Sequence, residues 1–118
     1  MKTTKKHFGI FKKEVQRLIE VYGLVSYEVY IDHDVRNDTT LADTIVDLEA
    51  RNIIITLNTD WADKITTPTL KDTALHEIFE VLFWRIESFA GKAYKEDARA
   101  EVHSLIQTFI NVQRGNNG

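Results

Sequence analysis

The chain lacks cysteine altogether, and its 118 residues include a single proline, Pro68, and a single methionine. Without cysteine there can be no disulfide framework, no thiolate catalysis and no Cys-type zinc finger, so any metal site must use His, Asp or Glu. No apolar run approaches the ~18 residues that a transmembrane helix requires. The net charge of −3 provides no basic excess, which argues against a nucleic-acid partner or an anionic-membrane surface.

What is present is an ordinary globular composition, with 43% hydrophobic and 28% charged residues. This balance and the length predict one domain spanning residues 1–118. Residues 1–5, rich in Lys and Thr, and residues 114–118 (RGNNG) are expected to be flexible. Because the Lys-rich start has no apolar signal-peptide core, we expect a cytoplasmic protein.

The hydrophobic periodicity changes along the chain from helical to alternating. Apolar residues recur at three- and four-residue spacing from Lys5 to Tyr22, which predicts a first helix that Gly23 ends. Alternation then predicts strands at 27–32 and, less clearly, 44–49. The strongest strand signal is 52–58, where apolar side chains on both sides indicate a central or doubly covered strand.

Two helices are predicted after the strands. The first runs from Leu70 to about Ala90, with Thr69 as its N-cap, and the second from about Tyr94 to Gln113. The order of elements predicts an α+β fold with an N-terminal helix, a sheet of two or three strands and two C-terminal helices. The first of these C-terminal helices should pack between the sheet and the last helix, burying the apolar residues Phe79, Leu82, Ile86 and one of Phe83 and Trp84.

The ionisable residues with the clearest chemical pattern lie in the Leu70–Ala90 helix. At 100° per residue, His76 and Glu80 lie ~40° apart on one face, so both can reach one metal ion. Glu77 lies one step around the helix, where it can approach a metal-bound water as a general base. This arrangement has the mechanics of the HExxH zinc motif, with Glu80 in place of the second histidine.

A third ligand would have to come from elsewhere, and His103 is the only histidine after this helix. A helical hairpin closed by the short connection 91–93 would bring the last helix back alongside. His76, Glu80 and His103 then make a two-His, one-Glu set that suits zinc and leaves the fourth position for water. His33 could also lie near this site, whereas His7 is expected at the surface.

A plain amphipathic helix explains the same spacing without any metal. Its solvated face would be the polar stripe formed by Thr69, Asp72, Thr73, His76, Glu80 and Glu87. Against this interpretation, Phe83 lies ~20° from His76 around the helix and Trp84 flanks the stripe at ~80°. Such large aromatic residues favour a stripe that is covered or lies in a cleft.

Three segments resemble the minimal zincin-like metallopeptidases, many of which are encoded by phages and prophages. Residues 73–77 (TALHE) are similar to the start of the active helix in that family, and residues 47–55 (DLEARNIII) to the hairpin that precedes it. Residues 103–106 (HSLI) are similar to the segment that carries the third ligand. The resemblance covers most of the chain, from the first helix to Gln113.

The resemblance implies a zincin-like fold and a zinc cofactor held by His76 and His103, with Glu77 as the general base. It also implies hydrolysis of a peptide bond in a protein or peptide substrate. Two positions depart from the family pattern: Glu80 replaces the second histidine, and Val102 stands where a glutamate often precedes the third. These departures leave open a second hypothesis, a catalytically inactive zincin-fold module whose function is binding.

Overall fold

The computed structural model of the chain has the predicted α+β architecture, with three helices and a small sheet. In chain order the elements are α1 (Lys5–Val21), β1 (Glu28–Asp34), β2 (Ala42–Asp47), β3 (Asn52–Asn58) and α2 (Thr67–Phe89). The helical residues 103–108 and 110–112 form the C-terminal segment. The structure describes residues 1–36, 40–47, 49–89, 103–108 and 110–112, with the backbone alone for 85–89. The predicted connection 91–93, the first part of the last helix, Val102, the side chain of Ile86 and residues 114–118 lie outside this description.

The three strands form a sheet of order β1-β3-β2, in which β3 is parallel to β1 and antiparallel to β2. The prediction of a central strand at 52–58 is therefore confirmed. The second strand lies two residues earlier than predicted, because the Asp47 carboxylate accepts a hydrogen bond from the Ala50 amide at 3.1 Å and begins the turn there. Arg51 completes this turn with a φ of 54°.

The helices and the sheet share one hydrophobic core. Along β3 the alternating residues Ile53, Ile55 and Leu57 are fully buried. The helices contribute the apolar residues Phe11, Val15, Leu18, Leu70, Ala74, Ile78 and Val81. Helix α2 contacts both α1 and β2, so polar residues of α2 beside β2 lie at the margin of this core. Within the described residues, no helix is long and apolar enough to cross a membrane.

Asn58, the last residue of β3, holds the chain on both sides of residues 37–39, which lie outside the described part of the structure. The buried Asn58 amide donates to the carbonyl of Thr40 at 2.6 Å and accepts from the Arg36 amide at 3.1 Å. The indole of Trp61 donates to the carbonyl of Leu41 at 3.0 Å. These bonds fix the backbone immediately before β2.

The starts of α1 and α2 are both capped by side chains. The hydroxyl of Thr4 accepts from the His7 amide, and the His7 ring accepts from the Thr4 amide. The predicted N-cap of α2 is wrong by three residues: Thr66 caps the helix, and its hydroxyl accepts from the Thr69 amide at 3.2 Å. The Thr69 hydroxyl accepts from the Thr66 amide in return, which completes a reciprocal cap.

The N-terminal residues, expected to be flexible, hydrogen-bond to residues 59–61. The Met1 ammonium donates to the Trp61 carbonyl at 2.7 Å, and the amide of Thr3 donates to the Thr59 carbonyl at 2.9 Å. Thr3 is itself buried. At the other end of α1, Gly23 has a φ of +71°, as expected for the residue that ends this helix.

Phe79 connects α2 to the C-terminal segment, as predicted for a helix packed on both sides. Its side chain is 4% exposed and packs with Ile106 and Ile110. The ring of Tyr22, the residue that follows α1, meets it edge-on at 5.4 Å. The predicted burial of Leu82 is wrong, since it is 37% exposed and lies outside the packed faces of α2. Phe83 and Trp84 are both of intermediate burial, Trp84 packed against the main core and Phe83 against the cluster of Phe79, Ile106 and Ile110.

Replacing Phe79 with alanine is expected to lower the free energy of unfolding by about 3–5 kcal/mol, because it opens a cavity between α2 and the C-terminal segment. Urea unfolding followed by circular dichroism measures this change. The matched control is Leu82→Ala on the same helix, which should cost less than about 1.5 kcal/mol because the side chain is partly exposed. Equal losses for the two variants would show that the Phe79 contacts do not form in solution.

Candidate metal site

The structure brings His76, Glu80 and His103 together. His76 Nε2 lies 3.3 Å from Glu80 Oε1, and His103 Nδ1 lies 3.3 Å from the same oxygen. The two imidazole centroids are 5.8 Å apart. One ligand atom from each residue lies within 4.8 Å of the other two, so this group could hold a metal ion. The predicted approach of the two histidines is confirmed.

These distances can be compared with the ligand spacing around zinc. Ligands bonded at ~2.0–2.1 Å in a tetrahedron lie about 3.3–3.4 Å from one another. The two distances to Glu80 Oε1 are 3.3 Å each, so that oxygen already stands at zinc-ligand spacing from both imidazoles. Nitrogen and carboxylate oxygen are both accepted zinc ligands. The donor atoms are therefore of a kind that zinc accepts, and the two distances to Glu80 Oε1 match the spacing of zinc ligands.

The same three residues also form a favourable cluster without metal. Hydrogen bonding to Glu80 raises the pKa of His76, against the opposing effect of burial, and the Glu77 charge adds to the increase. The Glu80 side chain is only 13% exposed, and both imidazoles lie 3.3 Å from its Oε1. A hydrogen bond from a protonated His76 to Glu80 explains the 3.3 Å between His76 Nε2 and Glu80 Oε1. Coordination of both residues to one metal ion explains the same distance.

Glu77 lies beside this group in a different environment. It is 5% exposed, and burial raises the pKa of its carboxyl to about 8. The positive charge of His76 and a hydrogen bond from Thr44 act in the opposite direction and lower the pKa. The Thr44 hydroxyl donates to Glu77 Oε1 at 2.9 Å. Glu77 is therefore a buried carboxyl that can hold or release a proton near neutral pH.

A cavity of about 370 Å³ opens beside His76 and Glu77. Three parts of the chain form its walls: the start of β2, helix α2 and the C-terminal segment. Its other lining residues are Thr40, Leu41, Ala42, Asp72, Thr73, Gln107 and Ile110. Its wall at residues 40–42 includes the backbone that Asn58 and Trp61 hold in place.

The polar stripe of α2 is not a solvated helix face. Thr73 is buried, the side chain of Glu80 is largely buried, and His76 and Asp72 are half-buried. The C-terminal segment covers part of the stripe with Gln107 and Ile110. The expectation of a stripe in a cleft is confirmed, and the solvated-face interpretation is wrong for these positions.

The other two histidines have different roles. The ring of His33 stacks on Phe8 at a centroid distance of 5.0 Å, and its Nε2 hydrogen-bonds to the Thr3 hydroxyl at 2.6 Å. Burial lowers the pKa of His33. His33 thus belongs to the contact between β1 and the N-terminal segment, and His7 belongs to the cap of α1.

Thr44 is a site residue that the sequence pattern does not identify. It lies between Ala42 and Val46, the other two residues of β2 with the same orientation, and both of these are buried. A threonine in a strand is ordinary, because β-branched residues are favoured there. The one feature of the sequence that could have identified Thr44 as a site residue is its hydroxyl on the core-facing side of the strand.

The raised pKa of Glu77 predicts that the metal-free protein becomes less stable as pH rises. The carboxyl has a pKa of about 8 when folded and 4.5 as its ordinary value, so the folded chain binds the proton more tightly. The stabilisation that protonated Glu77 contributes is complete below pH 4.5, and it is lost as the pH rises through 8. Urea unfolding in EDTA should show a decrease of at most about 1.4 kcal/mol per pH unit from this group.

The raised pKa of His76 also makes the free energy of unfolding fall as the pH rises above 6.5, because the folded protein then loses the proton on His76. The other charged groups that act on Glu77 are Glu80 and Asp43, and both raise its pKa. In Glu77→Gln the dependence between about pH 5 and 8 should be clearly flatter. An equally steep profile in that variant would show that Glu77 does not titrate in this range.

The geometry of these side chains is the basis for any statement about function. Comparisons of this chain with protein-family models, curated proteins and solved structures found no match.

Proposed function

We propose that this protein is a small zinc-dependent metallopeptidase of the zincin type. In this proposal His76, Glu80 and His103 bind zinc, and Glu77 is the general base. The observation that carries it is the convergence of two imidazoles on one carboxylate oxygen at 3.3 Å, beside a buried carboxyl that lines a cavity. The resemblance of three segments to the minimal zincin-like family supports the same function.

Zinc is the preferred metal because of the donor set. Two imidazoles and one carboxylate leave one position of a tetrahedron open, which is the composition of many catalytic zinc sites. The chemistry that zinc supplies there, when bound, is Lewis acidity toward water and toward a peptide carbonyl. Glu80 provides the negative charge that a second histidine would not, so the bound ion would be less electrophilic than in a three-histidine site.

Glu77 performs the proton transfers in this proposal. Its carboxylate accepts a proton from the attacking water, and the resulting carboxylic acid can donate that proton to the departing amine nitrogen. Both steps are general acid–base catalysis, which requires a group within hydrogen-bond reach of the reacting atoms. The position of Glu77 suits this role, because its carboxyl lines the cavity and has a pKa of about 8, near neutral pH.

The size of the cavity limits the substrate. A volume of about 370 Å³ holds one or two side chains of a peptide, and it is too small for a folded element. A peptide or an unfolded segment of a protein can enter and place one peptide bond next to His76 and Glu77. We therefore expect hydrolysis of flexible segments and not of folded proteins.

A binding module without hydrolysis is the second candidate. It is favoured by the fact that Glu80 contacts both imidazoles at distances that hydrogen bonds also explain. In that case the three residues would stabilise the contact between α2 and the C-terminal segment, and the cavity would only bind. The two candidates make different predictions for zinc-dependent cleavage of peptides.

Protein purified without a histidine tag distinguishes them. Metal analysis and calorimetric titration with zinc should give one ion per chain, and a fluorogenic peptide library should be cleaved with zinc but not in EDTA. Binding of zinc without cleavage of any peptide would favour the binding module. Failure to bind zinc at all would contradict the metallopeptidase proposal.

A further inference from the structure

We propose that Thr44, on the edge strand β2, is a positioning residue for Glu77: its hydroxyl holds one carboxylate oxygen, so that the other is directed to the cavity. This inference rests on the proposed function, since it assigns a residue to the general base of that reaction. Thr44 itself would not touch the substrate. It would act only through Glu77.

The contact joins two elements that are distant in sequence. Thr44 Oγ1 donates to Glu77 Oε1 at 2.9 Å, and 33 positions separate the two residues. Thr44 pairs with Ile55 in the register of β2 and β3, and Ile55 is fully buried. Thr44 therefore points from the sheet toward α2.

Thr44 is also the polar residue on a side of β2 that is otherwise apolar. Its neighbours with the same orientation, Ala42 and Val46, are buried apolar residues of the core. The adjacent Asp43 has the opposite orientation and pairs with Arg36 at 3.2 Å, so it does not replace Thr44 as a partner of the base. A hydroxyl among apolar neighbours requires a hydrogen-bond partner, and Glu77 is that partner.

The chemistry of the pair determines what Thr44 can do. A threonine hydroxyl has one proton, and an ionised carboxylate has two acceptor oxygens. Because Oε1 of Glu77 is held by Thr44, Oε2 is the oxygen left to accept a proton from a molecule in the cavity. The last torsion of a glutamate is broad and weakly restrained, so without the hydroxyl the carboxylate would rotate and Oε2 would lose its fixed direction.

A purely structural role predicts different results. If Thr44 only satisfies a buried carboxyl, its loss should lower stability without changing turnover per folded, zinc-loaded molecule. If it positions the base, its loss should lower kcat and leave KM and zinc affinity unchanged. A conservative replacement that keeps the hydroxyl should then restore kcat.

The first experiment compares Thr44→Val, which keeps the shape and removes the donor, with Thr44→Ser, which keeps the donor. In the full-length zinc-loaded protein, Thr44→Val should lower kcat roughly 10- to 100-fold, as for a hydrogen bond to a charged group. Thr44→Ser should stay within a few-fold of wild type. The matched control is Val46→Ala, which weakens the same strand and should keep the wild-type kcat. Wild-type kcat in Thr44→Val, with an active wild type, would overturn this inference and leave the metallopeptidase proposal intact.

The second experiment does not use activity. Thermal unfolding in EDTA is measured for Thr44→Val, Glu77→Leu and the double variant. If the hydrogen bond forms in solution, the shifts in Tm of the two single variants will not add, because either substitution already removes the bond. Additive shifts would overturn the inference. If wild type does not cleave peptides, the proposed function fails, and this cycle alone decides whether Thr44 holds Glu77.

Discussion

Replacing Glu77 with glutamine is expected to slow zinc-dependent peptide hydrolysis by about 10²–10⁴-fold, the usual contribution of a general base. Glutamine has nearly the same shape, and its carbonyl oxygen can still accept the hydrogen bond that the Thr44 hydroxyl donates to Glu77 at 2.9 Å. The fold and the group of His76, Glu80 and His103 should therefore persist. What is removed is the oxygen that accepts a proton from water.

The measurement is kcat/KM on a fluorogenic peptide, together with zinc titration of the same preparation. The matched control is Glu20→Gln, the same substitution at an exposed position of α1, which should leave both values unchanged. Zinc affinity in Glu77→Gln should remain near that of wild type. Undiminished turnover in Glu77→Gln would assign the hydrolysis to another residue or to a contaminating peptidase.

The parts of the site that lie on one helix could be predicted from the sequence because helix geometry is local. The spacing of His76 and Glu80 fixes their common face before any tertiary contact is known. The approach of His103 could also be predicted, since a short connection at 91–93, as the sequence predicts, would bring the last helix back beside α2. The apolar residues around the polar stripe indicated that it would be covered, and Gln107 and Ile110 do cover part of it.

The parts that depend on strand order could not be predicted in the same way. The hydrophobic pattern predicts strands at 44–49 and 52–58, but it does not say which strand lies at an edge beside α2. The contact of Thr44 with Glu77 follows from that order, because the sheet has the order β1-β3-β2 and its edge strand β2 packs against α2. The sequence predicts the N-cap of α2 three residues too late, at Thr69 instead of Thr66. Both threonines have a side chain that suits an N-cap. Which of them caps the helix depends on where the preceding chain enters it.

Glu80 is the residue that distinguishes a working zinc site from a hydrogen-bonded cluster, and Glu80→Ala is expected to weaken zinc binding by more than about 100-fold. Loss of a residue that only supports a ligand typically costs 10–100-fold, and loss of a direct ligand should cost more. Both histidines approach Glu80 Oε1 at 3.3 Å, so this substitution removes the atom they share. Isothermal titration calorimetry with zinc measures the change, and Glu80→Gln is the control that keeps the shape while removing the charge.

Glu80→His should keep zinc affinity or increase it, because positions 76 and 80 remain on one face and imidazole is an accepted ligand. If Glu80 instead serves only as an acceptor for the two histidines, wild type should bind zinc poorly. Glu80→His would then create a site, and its Tm would rise when zinc is added, whereas that of wild type would not. The two hypotheses therefore differ in wild type and in Glu80→Ala. Failure of Glu80→His to bind zinc would contradict both, since three histidines in this geometry should hold the ion if the helices are placed as the structure shows.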